Sequence, residues 1–211
     1  MSECVILEQI KKCPHCDECP LIKSAKVETP PEYGTFTDKR DGRIYKTIKI
    51  GEQTWLAENL AFDYVGSKVY NNDFENLAKF GRLYNWETAK LAVPEGWHLP
   101  SRDEWDKLLA YVKNESFIEA KDDLSGMVLK ARSGWKNGGN GIDTFGFSAL
   151  PAGYGNSSGE FFDMGEDATF WTSTENSSTN AYGRNMYYLS ESVNRGNFNK
   201  TSLFSIRCLQ D

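Results

Sequence analysis

The cysteines are the first residues whose spacing suggests chemistry, because four of the five in the chain lie within its first 19 positions. They are Cys4, Cys13, Cys16 and Cys19. A Cys-x-x-Cys spacing directs two thiolates to one point, which suits tetrahedral zinc or an iron–sulfur cluster, with Cys4 or His15 completing the ligand set. The same spacing also permits a local disulfide or reduced, inert thiols. A zinc or iron–sulfur cofactor is therefore one of three interpretations of this leader.

A second candidate site is the segment 174–202, which is rich in asparagine, tyrosine, serine, glycine and arginine. Binding surfaces often have this composition, because tyrosine supplies rigid apolar area while short polar groups adapt their hydrogen bonds. If Met186 points inward on a strand, Asn185 and Tyr187 point outward together. We therefore predict a surface for a protein or glycan ligand, with an ordinary exposed hairpin as the alternative. Its predicted contact residues are Asn176, Asn180, Tyr182, Arg184, Asn185, Tyr187, Tyr188, Asn194, Arg195, Asn197 and Asn199.

Charge and hydropathy exclude two kinds of partner. The 24 Lys and Arg residues against 30 Asp and Glu give a net charge of −6. A nucleic-acid binder needs a basic face that displaces counterions, so we expect no nucleic-acid partner. No apolar run approaches about 18 residues, so we expect no transmembrane segment. Charge interrupts the first apolar residues within three positions, so no export signal is visible and the compartment stays open.

No pattern of residues predicts catalysis. His98 is the one histidine of the expected domain, and no motif places an aspartate or glutamate beside it. No motif positions two carboxylates for glycoside cleavage either. We therefore predict no catalytic residue and a protein that is not an enzyme.

The elements that must position the candidate residues follow from turns, caps and periodicity. Alternating apolar residues around Gly51 predict a β-hairpin over residues 44–56. Ser101 and Glu104 form a capping box ahead of apolar residues at i, i+3, i+4 and i+7, which predicts a helix with one buried stripe. Asp73 is expected to cap a second, short helix that carries Phe74, Leu77 and Phe80 and has Gly81 just after it, and helical spacing continues from Leu83 up to Pro94. Further strands are expected at residues 145–150, 170–174, 182–189 and 203–209, the last two on either side of a polar loop.

Pro30-Pro31 and the absence of periodicity before it indicate a linker. The chain is thus divided into a leader and linker over residues 1–37 and one domain over residues 38–211. Two helices with several short strands and long loops define an α+β fold class. We expect most tryptophans to lie in the core as wedges. These are Trp55, Trp86, Trp97, Trp105 and Trp171.

Six motifs follow one another along the expected domain. They are Gly51-x-Gln53-x-Trp55-x-Ala57-Glu58-Asn59-Leu60, Gly81-Arg82-Leu83-Tyr84-x-Trp86, Gly96-Trp97-His98-Leu99-Pro100-Ser101, Phe145-Gly146-Phe147-Ser148-Ala149-Leu150-Pro151-Ala152-Gly153, Phe170-Trp171-Thr172-Ser173-Thr174-Glu175 and Ser205-Ile206-Arg207-Cys208. Together they resemble the Fibrobacter succinogenes major paralogous domain over residues 38–211, and the cysteine-rich leader lies outside the match.

This family is similar to C-type-lectin-like folds, including the formylglycine-generating-enzyme group. The resemblance implies a C-type-lectin-like fold with two helices, short antiparallel strands, long loops and paired terminal strands. The oxidase activity of that group needs two cysteines near the carboxyl end, whereas the domain contains only Cys208. The Glu-Pro-Asn or Gln-Pro-Asp and Trp-Asn-Asp triplets of calcium-dependent lectins are also absent. The resemblance therefore implies neither copper-dependent oxidation nor calcium-bridged sugar binding.

Some C-type-lectin-like domains similar to this family are variable proteins of diversity-generating retroelements, in which adenine mutation diversifies asparagine codons. The asparagine and tyrosine content of residues 174–202 resembles such a variable region. The implied function is non-enzymatic recognition or adhesion, and the family resemblance suggests a cell-surface or secreted setting. The alternative is a metal or redox protein whose leader carries the chemistry and whose domain localises it.

Overall fold

The computed structural model describes residues 30–115 and 123–211, which form a mixed α+β fold composed mostly of strands. The strands are β1 (Tyr33–Thr37), β2 (Ile44–Ile50), β3 (Gln53–Leu56), β4 (Trp97–His98), β5 (Tyr154–Gly155), β6 (Phe161–Phe162), β7 (Asp167–Glu175), β8 (Asn180–Tyr187), β9 (Asn194–Asn199) and β10 (Leu209–Gln210). The α-helices are α1 (Leu77–Phe80), α2 (Trp86–Ala92), α3 (Arg102–Glu115) and α4 (Ser125–Leu129). Short 3₁₀ turns cover Tyr70–Asn72, Phe74–Asn76 and Lys136–Gly138.

The predicted hairpin belongs to a five-stranded antiparallel sheet in the order β1-β2-β3-β10-β4. Gly51 in the β2–β3 turn has φ +61°, and a Cβ atom there would lie 2.9 Å from the Tyr111 ring, so glycine meets both a conformational and a steric need. Leu209 of β10 pairs with Trp55 of β3 and with His98 of β4. The late strand β10 therefore inserts between strands from the first half of the domain.

Strand β1 begins before the predicted domain boundary at residue 38. It pairs with β2 from Tyr33 opposite Ile48 to Thr37 opposite Ile44. Pairing with β2 gives this short segment the hydrogen-bond partners that its backbone needs. The sheet therefore includes residues 33–37, which the sequence had assigned to the linker.

The helices confirm the capping box and correct the helix count. The backbone N–H of Ser101 donates to Glu104 Oε2 at 2.7 Å, and the Glu104 N–H donates to Ser101 Oγ at 3.2 Å. The short helix expected before Gly81 is confirmed as α1, which ends at Phe80, and the helical spacing expected up to Pro94 resumes at α2 with Asn85 as its N-cap. The described segments therefore hold four α-helices, and the prediction of two was wrong.

Residues 145–150 were predicted to form a core strand, but only some of them are buried and they do not form a strand. Phe147 and Ala149 are fully buried, but Ser148 has φ +52°. The Ser148 N–H donates to the Asp143 carboxylate at 2.7 Å. This side-chain hydrogen bond stabilises a turn in place of extended pairing. The predicted strand at 203–209 is likewise reduced to isolated bridges followed by β10.

The second main sheet has three antiparallel strands in the order β7-β8-β9. Strand β9 lies in the segment that the sequence assigned to a polar loop, because its polar residues show no apolar alternation and only the pairing with β8 defines it as a strand. This sheet separates two hydrophobic clusters. One contains Trp105, Phe170 and Met186, and the other contains Trp171, Ala181 and Phe204.

The tryptophan expectation is confirmed, since each of the five named residues is at most 6% exposed. Arg207 is also fully buried, and it joins distant loops. Its guanidinium donates to Asn59 Oδ1 at 2.7 Å, to the Ser148 carbonyl at 2.8 Å and to the carbonyls of Leu56 and Phe147. Within residues 30–115 and 123–211, no helix combines the length and apolar character that a membrane crossing requires.

Candidate functional site

The β8–β9 hairpin carries most of the predicted contact residues, and its register decides which of them share a face. Asn180 lies opposite Asn199, Tyr182 opposite Asn197, and Arg184 opposite Arg195. Side chains directly opposite each other in an antiparallel pair lie on the same face of the sheet. Six of the predicted residues therefore form three facing pairs.

These three pairs lie on the face of the sheet that packs against α3, which we call the α3 face. Strand alternation gives this face Met186 and, from β7, Phe170, both of which pack in the cluster with Trp105 of α3. Beyond this apolar part the face becomes polar. There Arg195, Asn197 and Asn199 are exposed, while Asn180 and Tyr182 are half-buried.

The polar part of the α3 face also includes residues that the sequence did not indicate. The Arg102 guanidinium lies 5.4 Å from the centroid of the Tyr182 ring, within the range of a cation–π contact. Arg184 is only 4% exposed and forms an ion pair with Asp106 of α3. Arg184 is therefore not the exposed contact that the sequence predicted, because it lies beneath the surface against α3.

The opposite face carries the remaining strand residues of the prediction. We call it the Trp171 face, because Trp171, Ala181 and Phe198 pack there in the second cluster. Met186 is fully buried, which meets the condition that the sequence set, and Asn185 and Tyr187 are partly exposed on this other face. Asn185 lies opposite Asn194.

Asp167 lies opposite Tyr187 on the Trp171 face and is only 7% exposed. It accepts hydrogen bonds from Thr169 Oγ1 and, at 3.5 Å, from Asn185 Nδ2. Burial raises the pKa of Asp167 to about 6, the two hydrogen bonds oppose this, and the nearby charge of Asp163 adds to the increase. A buried carboxyl with a raised pKa thus lies under this face.

The last two predicted residues lie at the ends of β8. Asn176 is exposed in the β7–β8 turn, and its N–H donates to the Asn180 carbonyl at 3.0 Å. Tyr188 follows β8, and its ring centroid lies 4.7 Å from that of Tyr187 in an edge-on arrangement. The predicted set is therefore divided between two faces of one sheet and is not a single surface.

A groove of about 410 Å³ lies beside the end of β9, and no sequence pattern indicated it. Lys200 lines it, with its ammonium 4.5 Å from the Trp86 ring centroid and in an ion pair with Glu175. The other lining residues are Gly66, Lys68, Asn85, Glu87, Asn156, Ser157, Gly159, Thr201 and Leu203. The lining residues come from four segments that are far apart in the chain, one of which is the start of α2, and this explains why local sequence signals miss the groove.

His98 has the acidic neighbours that no motif placed beside it. Its Nδ1 lies 2.7 Å from Asp211 Oδ1, and its Nε2 lies 3.0 Å from Glu104 Oε1. Burial raises the pKa of Glu104, but hydrogen bonds from Ser101 and His98 outweigh this and lower it overall. The Ser101 hydroxyl donates to Glu104, at 2.8 Å, so it is not paired with the imidazole as a nucleophile would be.

The four cysteines predicted to bind metal, Cys4, Cys13, Cys16 and Cys19, lie outside the described residues. Cys208 is buried as a free thiol, and burial raises its pKa. In the part of the chain that the structure describes, no group of three or more His, Cys, Asp or Glu side chains could hold a metal ion.

Fold and site together define a mostly-strand α+β domain that displays a polar hairpin on a buried aromatic framework. The chain belongs to the family of the Fibrobacter succinogenes major domain, whose model matches residues 48–210. This confirms the family that the six motifs resembled. Comparison with curated proteins and with solved structures finds no match for the chain.

Proposed function

We propose that the chain is a non-enzymatic recognition or adhesion domain that presents the α3 face of its β8–β9 hairpin to a protein or glycan. The observation that carries this proposal is the set of three facing pairs on one face of the hairpin. The aromatic Tyr182 and the charged Arg195 lie there among asparagine side chains. Antibody paratopes combine the same residue types for apolar contact and directed hydrogen bonding.

The packing supports a surface whose chemistry is independent of folding. The apolar residues that hold the hairpin, among them Met186, Ala181 and Phe170, are fully buried. The exposed residues Arg195, Asn197 and Asn199 contribute no apolar burial to either cluster. Substitution at such positions ordinarily changes stability by less than about 0.5 kcal/mol.

We further propose a C-type-lectin-like fold, a cell-surface or secreted setting, and diversification of residues 174–202 by a retroelement. The support for diversification is that most asparagines of this segment are exposed or half-buried, where substitution is tolerated. A template repeat beside a reverse-transcriptase gene, differing from this segment only at adenines, is the expected genomic finding. A neighbourhood without such a repeat would remove the retroelement from the proposal.

The function is tested with variants on the two faces of the same hairpin. The full chain is labelled, screened on an array of glycans and surface proteins, and compared with Tyr182→Ala/Asn197→Ala on the α3 face. Tyr187→Ala, on the Trp171 face, is the matched control. We expect the α3-face variant to lose binding with an unchanged melting temperature, and the control to retain it.

Two results would contradict the proposal. Equal binding by the α3-face variant and the wild type would show that the ligand does not contact this face. The second result is that Tyr182→Ala/Asn197→Ala no longer unfolds cooperatively, whereas the single variants Asn197→Ala and Asn199→Ala still do. This would show that Tyr182 is a core residue and not a contact residue.

A further inference from the structure

The polar part of the α3 face concentrates positive charge on a protein whose net charge is −6. Arg184 of β8 lies directly opposite Arg195 of β9, and like charges in facing positions destabilise a sheet. Arg102 of α3 adds a third guanidinium beside the Tyr182 ring. A strand pairing that opposes a local rule of stability is expected chiefly where function requires it.

The acidic groups around these arginines do not neutralise the cluster. Asp106 pairs with Arg184, and Asp103 pairs with Arg102 at 3.3 Å, which leaves three guanidinium groups against two carboxylates. Among the described residues, Arg195 takes part in no ion pair and is exposed. One positive charge of the cluster thus has no acidic partner within residues 30–115 and 123–211.

Arg184 also carries an unused hydrogen-bond donor. Its Nε is buried and has no hydrogen-bond partner among the described residues, although Nη2 is bound to Asp106. A buried donor without an acceptor costs free energy and calls for an explanation. Burial lowers the pKa of Arg184, and the charges of Arg195 and Arg102 lower it further against the opposing effect of Asp106. An additional anion at this place would reduce the repulsion among the three guanidinium groups and would supply the acceptor that Arg184 Nε lacks.

The groups around the arginines indicate what carries that anion. Asn180, Asn197 and Asn199 lie beside the cluster on the same face, and a primary amide can both donate and accept hydrogen bonds, although Asn199 Oδ1 already accepts from the N–H and the hydroxyl of Thr201. Sugar hydroxyls have the same dual capacity, whereas the carboxylate of an acidic side chain needs donors alone. The guanidinium fork matches a carboxylate with two parallel hydrogen bonds.

From these observations we infer that the α3 face binds an acidic glycan whose carboxylate belongs to a uronic-acid residue. Arg195, with Arg184 beneath it, takes the carboxylate, and the three asparagine amides take neighbouring hydroxyls. This inference rests on the proposed function and adds the chemical class of its ligand.

The experiment titrates the full chain with oligosaccharides of galacturonic, guluronic and glucuronic acid by isothermal titration calorimetry. Each acid is paired with its methyl ester, which keeps the sugar and removes the charge. We expect at least one acid to bind and its ester to bind at least about tenfold more weakly, because hydrogen bonds to charged groups contribute strongly. The affinity should also fall as salt concentration rises.

Two variants locate the binding. Arg195→Gln removes the unpaired charge at an exposed position and should weaken binding of the acid at least about tenfold without changing the melting temperature. Lys49→Gln removes an exposed charge from β2, in the other sheet, and should bind as the wild type does.

Four outcomes would overturn this inference, and they differ from failure of the proposed function. No binding of any of the three acids, or equal binding of acid and ester, would exclude recognition of the carboxylate. Binding of poly-glutamate in place of the sugars would assign the cluster to an acidic peptide. A ligand from the array that binds Arg195→Gln normally but not Tyr182→Ala/Asn197→Ala would leave the recognition function intact and refute the acidic-glycan assignment.

Discussion

The buried carboxyl of Asp167 makes the stability of this domain depend on pH in an unusual direction. Its pKa rises from 3.8 to about 6, first because of burial. The folded protein therefore binds this proton more tightly than the unfolded chain does, and ionisation destabilises the fold. The difference between 3.8 and about 6 corresponds to about 3 kcal/mol when the group is fully ionised.

The sign follows from the two protonation states. Above pH 6 Asp167 is ionised in both the folded and the unfolded state, and the fold carries the whole penalty. As the pH falls from 6 to 3.8, the folded state takes up the proton first and the penalty disappears. Residues with lowered pKa values, such as Glu104, change stability in the opposite direction, so the effect of Asp167 must be isolated with a variant.

Asp167→Asn is that variant, because an amide has nearly the shape of the protonated acid and cannot ionise. We expect it to be more stable than the wild type by about 2–3 kcal/mol at pH 7.5 and about equal to it near pH 4. Urea unfolding followed by tryptophan fluorescence measures both proteins at each pH. Glu52→Gln, which removes an exposed carboxylate in the β2–β3 turn, is the matched control.

A stability difference between Asp167→Asn and the wild type that stays constant from pH 4 to 7.5 would refute this reasoning. It would mean that the Asp167 carboxyl has the same pKa in the folded and the unfolded state, so that it is not desolvated on the Trp171 face. A variant less stable than the wild type at pH 7.5 would show instead that the hydrogen bonds from Thr169 and Asn185 outweigh desolvation.

The remaining predictions concern the core, a helix cap and the leader. Arg207→Lys should lower the free energy of unfolding by about 3–5 kcal/mol, because an ammonium cannot serve the four buried oxygen atoms that the guanidinium reaches; a loss below about 1 kcal/mol in urea unfolding would contradict this. Ser101→Ala should cost about 1 kcal/mol through the lost cap, and Ser101→Thr, which keeps the hydroxyl, should cost clearly less. The full chain, purified anaerobically under reducing conditions, should contain stoichiometric zinc or absorb near ~400 nm. A content below about 0.3 metal equivalents would leave disulfides or free thiols as the state of the leader cysteines.

Signals between residues close in sequence predicted local structure well. Gly51 correctly marked the β2–β3 turn, and Ser101 with Glu104 correctly marked the start of α3. Such signals succeed because the capping and turn hydrogen bonds join residues only a few positions apart. Gly81, which has φ +70°, likewise correctly marked the end of the short helix α1, but the helical spacing beyond it was not counted as a separate helix.

Strand β9 and the turn at Ser148 show where local signals were insufficient. Residues 194–199 are polar apart from Gly196 and Phe198 and show no apolar alternation, so only their pairing with β8 makes them a strand. Asp211, one of the two acidic partners of His98, was missed for the same reason, since it reaches His98 through the pairing of β10 with β4.

The amino-acid sequence by itself determined the family, the residue types of the hairpin and the excess of tyrosine and asparagine in it. Only the tertiary structure decided that these residues lie on two faces and that Arg184 lies beneath one of them. Side chains alternate between faces along a strand, so the face of each residue depends on the strand register. That register is set by long-range packing, with Met186 held in one cluster and Ala181 in the other.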